Sequence, residues 1–186
     1  MELDNIKNSY KILNILRLLA FQTGSEVSYS EIGQKVSLSR NTVERYIDLL
    51  EKTFIIFKLN GFSKNLRKEI VKNSKYYFWY NGIRNAVISN FNTLELRNDT
   101  GQLWENYIIS ERIKFQKFSK VHSNYFFWRT YDQQEIDLIE ERDGKLFAFE
   151  IKYNTSKCKT PAAWKQTYPD SKFIVINKDN YLEYIS

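Results

Sequence analysis

The sequence predicts an α/β (α+β) chain in two parts, a winged helix-turn-helix over residues 1–90 and an αβββαβ core over residues 91–186. Three features carry that expectation. Capped helical patterns separated by a tight turn are followed by two β-runs, the order of a helix-turn-helix with a wing. Beyond residue 100 a long helical stripe leads into three β-runs, a proline-led helix and one more apolar run. Charge divides along the same line: residues 1–90 hold 14 Lys/Arg against 8 Asp/Glu, a net +6, while residues 91–186 hold 14 of each.

Residues 7–22 place Ile12, Leu13, Ile15, Leu16, Leu19 and Ala20 at helical spacing, and Gly24 ends that helix. Ser28 stands three residues before Glu31, a capping arrangement, and predicts a short helix through Lys35 with Ile32 and Val36 inward. Ser39 can cap a third helix over residues 40–52 that buries Val43, Ile47 and Leu50 and turns Arg40, Asn41, Glu44 and Arg45 outward. Residues 54–59 and 75–80 read as the wing strands, with Gly61 and the basic stretch 64–68 between them. A short helix and turn over 82–92 and a break at 98–101 precede a helix over 102–118, whose apolar positions are Leu103, Trp104, Tyr107, Ile108 and Ile113. Strands follow at 125–129, 135–141 and 146–153, the last two joined by the hairpin signal Asp143-Gly144. Thr160-Pro161 opens a helix toward Thr167, and residues 173–176 close the sheet as a buried strand.

Composition narrows the function classes. Hydrophobic residues at 42% and aromatics at 16% indicate a folded chain. With one cysteine, Cys158, and one histidine, His122, neither an internal disulfide nor a zinc site of the usual Cys/His type can form. No run of about 18 apolar residues and no signal-peptide pattern occurs, so no membrane partner and a cytoplasmic location are expected. A basic first half favours polyanions through counterion release, with solubility as the plainer use of the same charge. Ser39, Arg40, Asn41, Thr42 and Arg45 at the start of the third helix are types that contact phosphates and base edges of DNA, and Lys64, Arg67 and Lys68 add cations between the wing strands. Such a winged arrangement also serves as a protein-interaction module. The aromatic run Tyr76, Tyr77, Trp79 and Tyr80 is read as core and rim of a sheet in preference to a base-stacking platform.

The sharpest chemical signal lies in the second half. Asp137, in the run Glu135-Ile136-Asp137-Leu138-Ile139, precedes by 13 residues the Glu150 of Phe149-Glu150-Ile151-Lys152. An acid on one strand and a Glu-x-Lys on the next, joined by a tight turn, supply the hard oxygens that Mg²⁺ prefers, while Lys152 could stabilise charge on a phosphate under attack. Glu105 on the long helix can join them in the αβββαβ layout. An exposed amphipathic hairpin with solvated charges gives the same spacing, so both readings stand at this point. His122 and Cys158 read as an exposed loop residue and a thiol with no partner, and residues 157–159 as either a phosphate-contacting loop or a solvated turn.

Glu105, Asp137 and Glu150-Ile151-Lys152 together resemble the PD-(D/E)xK nuclease-like, restriction-endonuclease-like fold. Residues 42–52, residues 63–69, Leu103-Trp104-Glu105-Asn106 and Phe127-Trp128-Arg129-Thr130 are similar to the C-terminal region of a family of bacterial and archaeal AAA-type ATPases, a region that is itself a domain of unknown function. The resemblance implies Mg²⁺ held by Asp137, Glu150 and the Ile151 carbonyl, catalytic roles for Glu105, Asp137, Glu150 and Lys152, and an ATPase domain upstream in the parent protein. This chain contains no Gly-x-x-x-x-Gly-Lys-Ser/Thr, so no ATP site is expected within it, and it reads as the C-terminal piece of a longer protein or as a form that has lost its ATPase half. The expected activity is phosphodiester hydrolysis of DNA, with a non-catalytic DNA- or protein-binding module as the alternative.

Overall fold

The computed structural model describes residues 9–63, 74–155 and 157–186. Helix α1 (Ser9–Phe21), the short strand β1 (Glu26–Val27), α2 (Tyr29–Val36) and α3 (Arg40–Lys52) lead into strands β2 (Ile56–Gly61) and β3 (Ser74–Phe78). Helix α4 (Asn81–Val87) and a 3₁₀ turn (Leu94–Leu96) connect these to the long helix α5 (Thr100–Phe118). Then come β4 (Asn124–Arg129), β5 (Glu135–Arg142), β6 (Lys145–Ile151), α6 (Ala162–Thr167), β7 (Lys172–Ile176) and α7 (Leu182–Ile185). No helix among the described residues is long and apolar enough to cross a membrane.

Local chemistry explains the first helices. The Ser28 hydroxyl accepts from the Glu31 N–H at 3.4 Å, and the Ser39 hydroxyl accepts from the Thr42 N–H at 3.2 Å, so each serine satisfies a donor that its helix leaves open. Phe54, expected in a strand, instead ends α3 in the left-handed region at φ +57° and is 70% exposed. The N–H groups of Phe54 and Ile55 return to the carbonyls of Glu51 and Leu50, the pairing that closes a helix when the chain reverses hand. Strand β2 therefore starts two residues late.

All seven strands form one mixed sheet in the order β1-β3-β2-β4-β5-β6-β7. Strand β2 pairs antiparallel with β3 on one side and parallel with β4 on the other, through Asn60↔Phe126 and Gly61↔Phe127. The hairpin of the first half thus continues directly into the strands of the second. On one face α5 packs Ile108, Ile109 and Ile113 against Tyr77, Phe127, Leu138, Phe149 and Ile151. On the other, Trp164 of α6 packs with Trp128, Ile136, Ile139 and Ala148. The β5–β6 turn falls on Asp143 and Gly144, both at positive φ, as a two-residue hairpin requires.

Several expected bounds shift for identifiable reasons. Strand β3 ends at Phe78, and Tyr80, 59% exposed, precedes α4. Helix α5 starts at Thr100, and its Tyr107 faces outward while Asn106, Ser110, Arg112 and Gln116 are buried among Leu103, Ile108, Ile109 and Ile113, so its inner face is mixed and not a purely apolar stripe. Among the described residues strand β7 is an edge strand, with Ile176 buried and Phe173, Ile174 and Val175 half-buried. Helix α7 carries no sequence signal of its own and is tied to α5 by a bond of 2.8 Å from Arg112 to the Tyr184 carbonyl.

Asn106 shows how α5 is registered on the sheet. Its amide accepts from the Phe78 N–H at 2.7 Å and donates to the Phe78 carbonyl and to Asn81 Oδ1, both at 2.9 Å, so a side chain pairs with both backbone groups of the last residue of β3. Asn106→Leu should leave the Phe78 groups buried and unpaired and cost about 3 kcal/mol. A lower urea midpoint at unchanged denaturant slope checks this.

Candidate functional site

Asp137 owes its direction to an irregularity. Phe126 pairs with Ile139 and Trp128 with Ile136, so Asp137 and Leu138 together lie opposite the single residue Phe127, a β-bulge. Ile136 and Ile139, three positions apart, consequently share the face toward α6, while Leu138 joins the cluster under α5. The β5–β6 register ends at Leu138↔Phe149. Where the strands part, Asp137 Oδ2 accepts the Ile151 N–H at 2.7 Å in place of a backbone carbonyl.

The Lys152 ammonium stands between the two acids, 2.7 Å from Glu150 Oε1 and 3.6 Å from Asp137 Oδ2. Asp137 and Glu150 are buried at 7% and 9% exposure, whereas the Lys152 side chain keeps 42%. From α5, Glu105 points its Oε1 at the Tyr77 hydroxyl, which donates at 2.7 Å. The sequence-predicted catalytic residues Glu105, Asp137, Glu150 and Lys152 are therefore brought together, with Ile151 bonded to one of them.

Charge crowding sets their ionisation. Burial and then the Asp137 charge push Glu105 up to about 8, against the opposing pull of Lys75, Tyr77 and Lys152. Burial also raises Asp137, and burial together with Asp137 raises Glu150. For Lys152 burial alone would lower the ammonium, but Asp137 and Glu150 outweigh it and hold the pKa above the ordinary lysine range. A further cation entering the site would relieve all three acids.

Whether these donors suit Mg²⁺ follows from their number and kind. Among the described residues no group of three or more His, Cys, Asp or Glu side chains is arranged to hold a metal ion. Magnesium takes one or two carboxylates and completes its shell with water, so Asp137 and Glu150, buried oxygen donors on parting strands, fit that demand while a closed protein cage is not formed.

Sequence reading missed the contribution of the first half. Lys75, 2% exposed on β3, forms an ion pair with Glu135 at the start of β5, and Arg129 on β4 reaches both Glu135 and Glu26 of β1. Tyr77 had read only as sheet core. Gly24, at φ +78°, leaves room for Glu105: a Cβ there would stand 2.9 Å from Glu105 Oε1. Cys158, expected to have no partner, donates to the Lys159 carbonyl at 3.9 Å, and burial and the Glu150 charge raise its thiol. Lys157, Lys159 and His122 are exposed.

The expected DNA-binding residues divide. Arg40, Asn41 and Arg45 are exposed on α3. Ser39 and Thr42 bond each other's hydroxyls at 2.9 Å in the helix cap, which commits those groups locally. Lys64, Arg67 and Lys68 lie outside the described residues.

Residues 1–94 match the family model described as a domain of unknown function, DUF8612, and residues 100–185 match another described as a domain of unknown function, DUF4143. Uncharacterized proteins of Mycobacterium tuberculosis and Mycobacterium bovis are each 24% identical to the chain over 137 residues, 73% of this chain and 30% of theirs. An uncharacterized protein of Haemophilus influenzae is 25% identical over 182 residues, 93% of this chain and 42% of that protein. The chain thus spans less than half the length of these curated relatives. No solved structure matches it.

Glu105 ties the site to stability. Its pKa of about 8 in the folded chain against an ordinary 4.5 means the folded state holds the proton more tightly, so its contribution is complete below 4.5 and is lost as pH rises through 8. In metal-free buffer, stability should decline across that window, and Glu105→Gln should flatten the decline. Urea denaturation at a series of pH values decides it; equal slopes for both proteins would remove Glu105 as the cause.

Proposed function

The chain belongs to the family described as domain of unknown function DUF8612, and for it we propose a DNA-acting module: a winged helix-turn-helix joined to a PD-(D/E)xK nuclease-like core that hydrolyses phosphodiesters with Mg²⁺. The observation that supports this most is the convergence of Asp137 and Glu150 on one ammonium, close enough to Glu105 for the Asp137 charge to raise its carboxyl. Asp137, Glu150 and the Ile151 carbonyl would hold the ion. When bound, it would supply Lewis acidity to a phosphoryl oxygen and make water a better nucleophile.

The chain's own groups do the rest. Glu105 accepts a hydrogen bond from the attacking water and orients it toward phosphorus. Lys152, whose side chain is half exposed beside the acids, would offer its ammonium to a phosphate oxygen. Exposed Arg40, Asn41 and Arg45 on α3 supply contacts to DNA, with Ser39 and Thr42 presenting the helix start and Lys64, Arg67 and Lys68 adding backbone affinity. In the longer proteins of this kind the module would follow an AAA-type ATPase, working on the same DNA.

One observation favours a second reading, a non-catalytic binding module. Lys152 already pairs with both strand acids, as a purely structural ion pair would.

Two variants test these readings. Asp137→Ala should abolish Mg²⁺- or Mn²⁺-dependent nicking of plasmid DNA by the full chain while DNA affinity stays within about twofold. Cleavage that survives it points to a contaminant or another site, and a wild-type chain that never cleaves supports the binding module. Arg40→Ala with Arg45→Ala should weaken DNA binding and reduce the salt slope by about 2, since each arginine displaces about one counterion; an unchanged slope removes α3 from the interface.

A further inference from the structure

We propose that the first half of the chain completes the acid site, and that Tyr77 is a positioning residue that aims the Glu105 carboxylate at the water shell of a divalent cation held by Asp137 and Glu150. The inference rests on the metal-site reading above and extends it to a residue outside the αβββαβ core. Tyr77 lies on β3 and is fully buried, and its hydroxyl donates to Glu105 Oε1 at 2.7 Å. A buried phenol needs a partner, and many arrangements would provide one. This one spends its only proton on an acid that faces Asp137.

Three further contacts show that the geometry is built around this bond. The same Oε1 is approached from the other direction by Gly24, where a Cβ would stand only 2.9 Å away, so the α1–β1 loop and β3 close on one oxygen together. Phe57 stacks on the Tyr77 ring with centroids 5.6 Å apart, which limits how far the hydroxyl can swing. Asn106, next to Glu105 on α5, is bonded to both backbone groups of Phe78, next to Tyr77 on β3. Adjacent residues on the two elements are thus paired twice, once through backbone and once through side chains. Holding one carboxylate oxygen fixes the plane of the group and with it the direction of the other oxygen.

Outer-shell hydrogen bonds of this kind change metal affinity by 10–100-fold. The probe is Mn²⁺, titrated by calorimetry into the full chain as wild type, Tyr77→Phe, Glu105→Gln and the double variant, with circular dichroism confirming that each is folded. Tyr77→Phe should weaken Mn²⁺ binding about tenfold, and in the Glu105→Gln background it should add nothing. Unchanged affinity in Tyr77→Phe, or the same loss with and without Glu105, overturns the positioning role, because a merely structural phenol would act independently of the acid. Asp137→Ala distinguishes the two levels: a wild-type chain that binds no more Mn²⁺ than this variant ends the metal-site reading, and the role of Tyr77 with it.

Discussion

Carboxylates cannot be gathered in a poorly hydrated place without cations or donors to answer them, and this constraint organises the molecule around α5 and the parting of β5 from β6. Burial raises the pKa of Glu105, Asp137 and Glu150, the Asp137 charge raises both glutamates further, and what opposes this comes from three directions: Lys152 from the end of β6, the Ile151 N–H from the strand itself, and Lys75 with Tyr77 from β3. Two of these answering groups belong to the first half. The parallel pairing of β2 with β4 is what brings them within reach, so the continuity of the sheet and the electrostatics of the site are one fact seen at two scales.

The same strand provides its own comparison. Glu140, fully buried three residues beyond Asp137, receives both arms of the Arg112 guanidinium and the Gln116 amide, while Arg112 also stacks over Phe149 and Tyr125 donates to Gln116. That acid is answered by a rigid, bidentate partner and by donors that are themselves bonded, which is how a buried ion pair becomes part of a core. Asp137 has one backbone N–H and a lysine at 3.6 Å whose side chain is 42% exposed. A flexible, half-solvated ammonium is easier to displace than a guanidinium held at both ends. The contrast makes Asp137, and not Glu140, the acid whose present cation is the more readily exchanged.

Much was legible from the chain. Ser28 and Ser39 announced two helix starts because a cap is decided by residues three apart. Asp143-Gly144 announced the β5–β6 turn for a similar reason, and the turn set the acid of one strand beside the acid of the next. What stayed hidden depended on packing. Phe54 carries a strand-forming side chain but ends a helix, since the backbone return to Leu50 and Glu51 outweighs its propensity. The buried polar face of α5 defeats a periodicity argument, because Asn106, Arg112 and Gln116 are buried only by virtue of partners on β3 and β5.

Interactions among near neighbours made the order of the larger helices and strands legible, though not β1 or α7, together with the caps of α2 and α3, the β5–β6 turn and the placing of Asp137 and Glu150 on adjacent strands. Only the tertiary structure decided that β5 bulges at Asp137 and Leu138, that one sheet runs through both halves, and that Lys75, Tyr77 and Gly24 close on the acids. Those outcomes depend on contacts between residues far apart in sequence, whose meeting depends on the packing of the whole sheet and not on any local pattern.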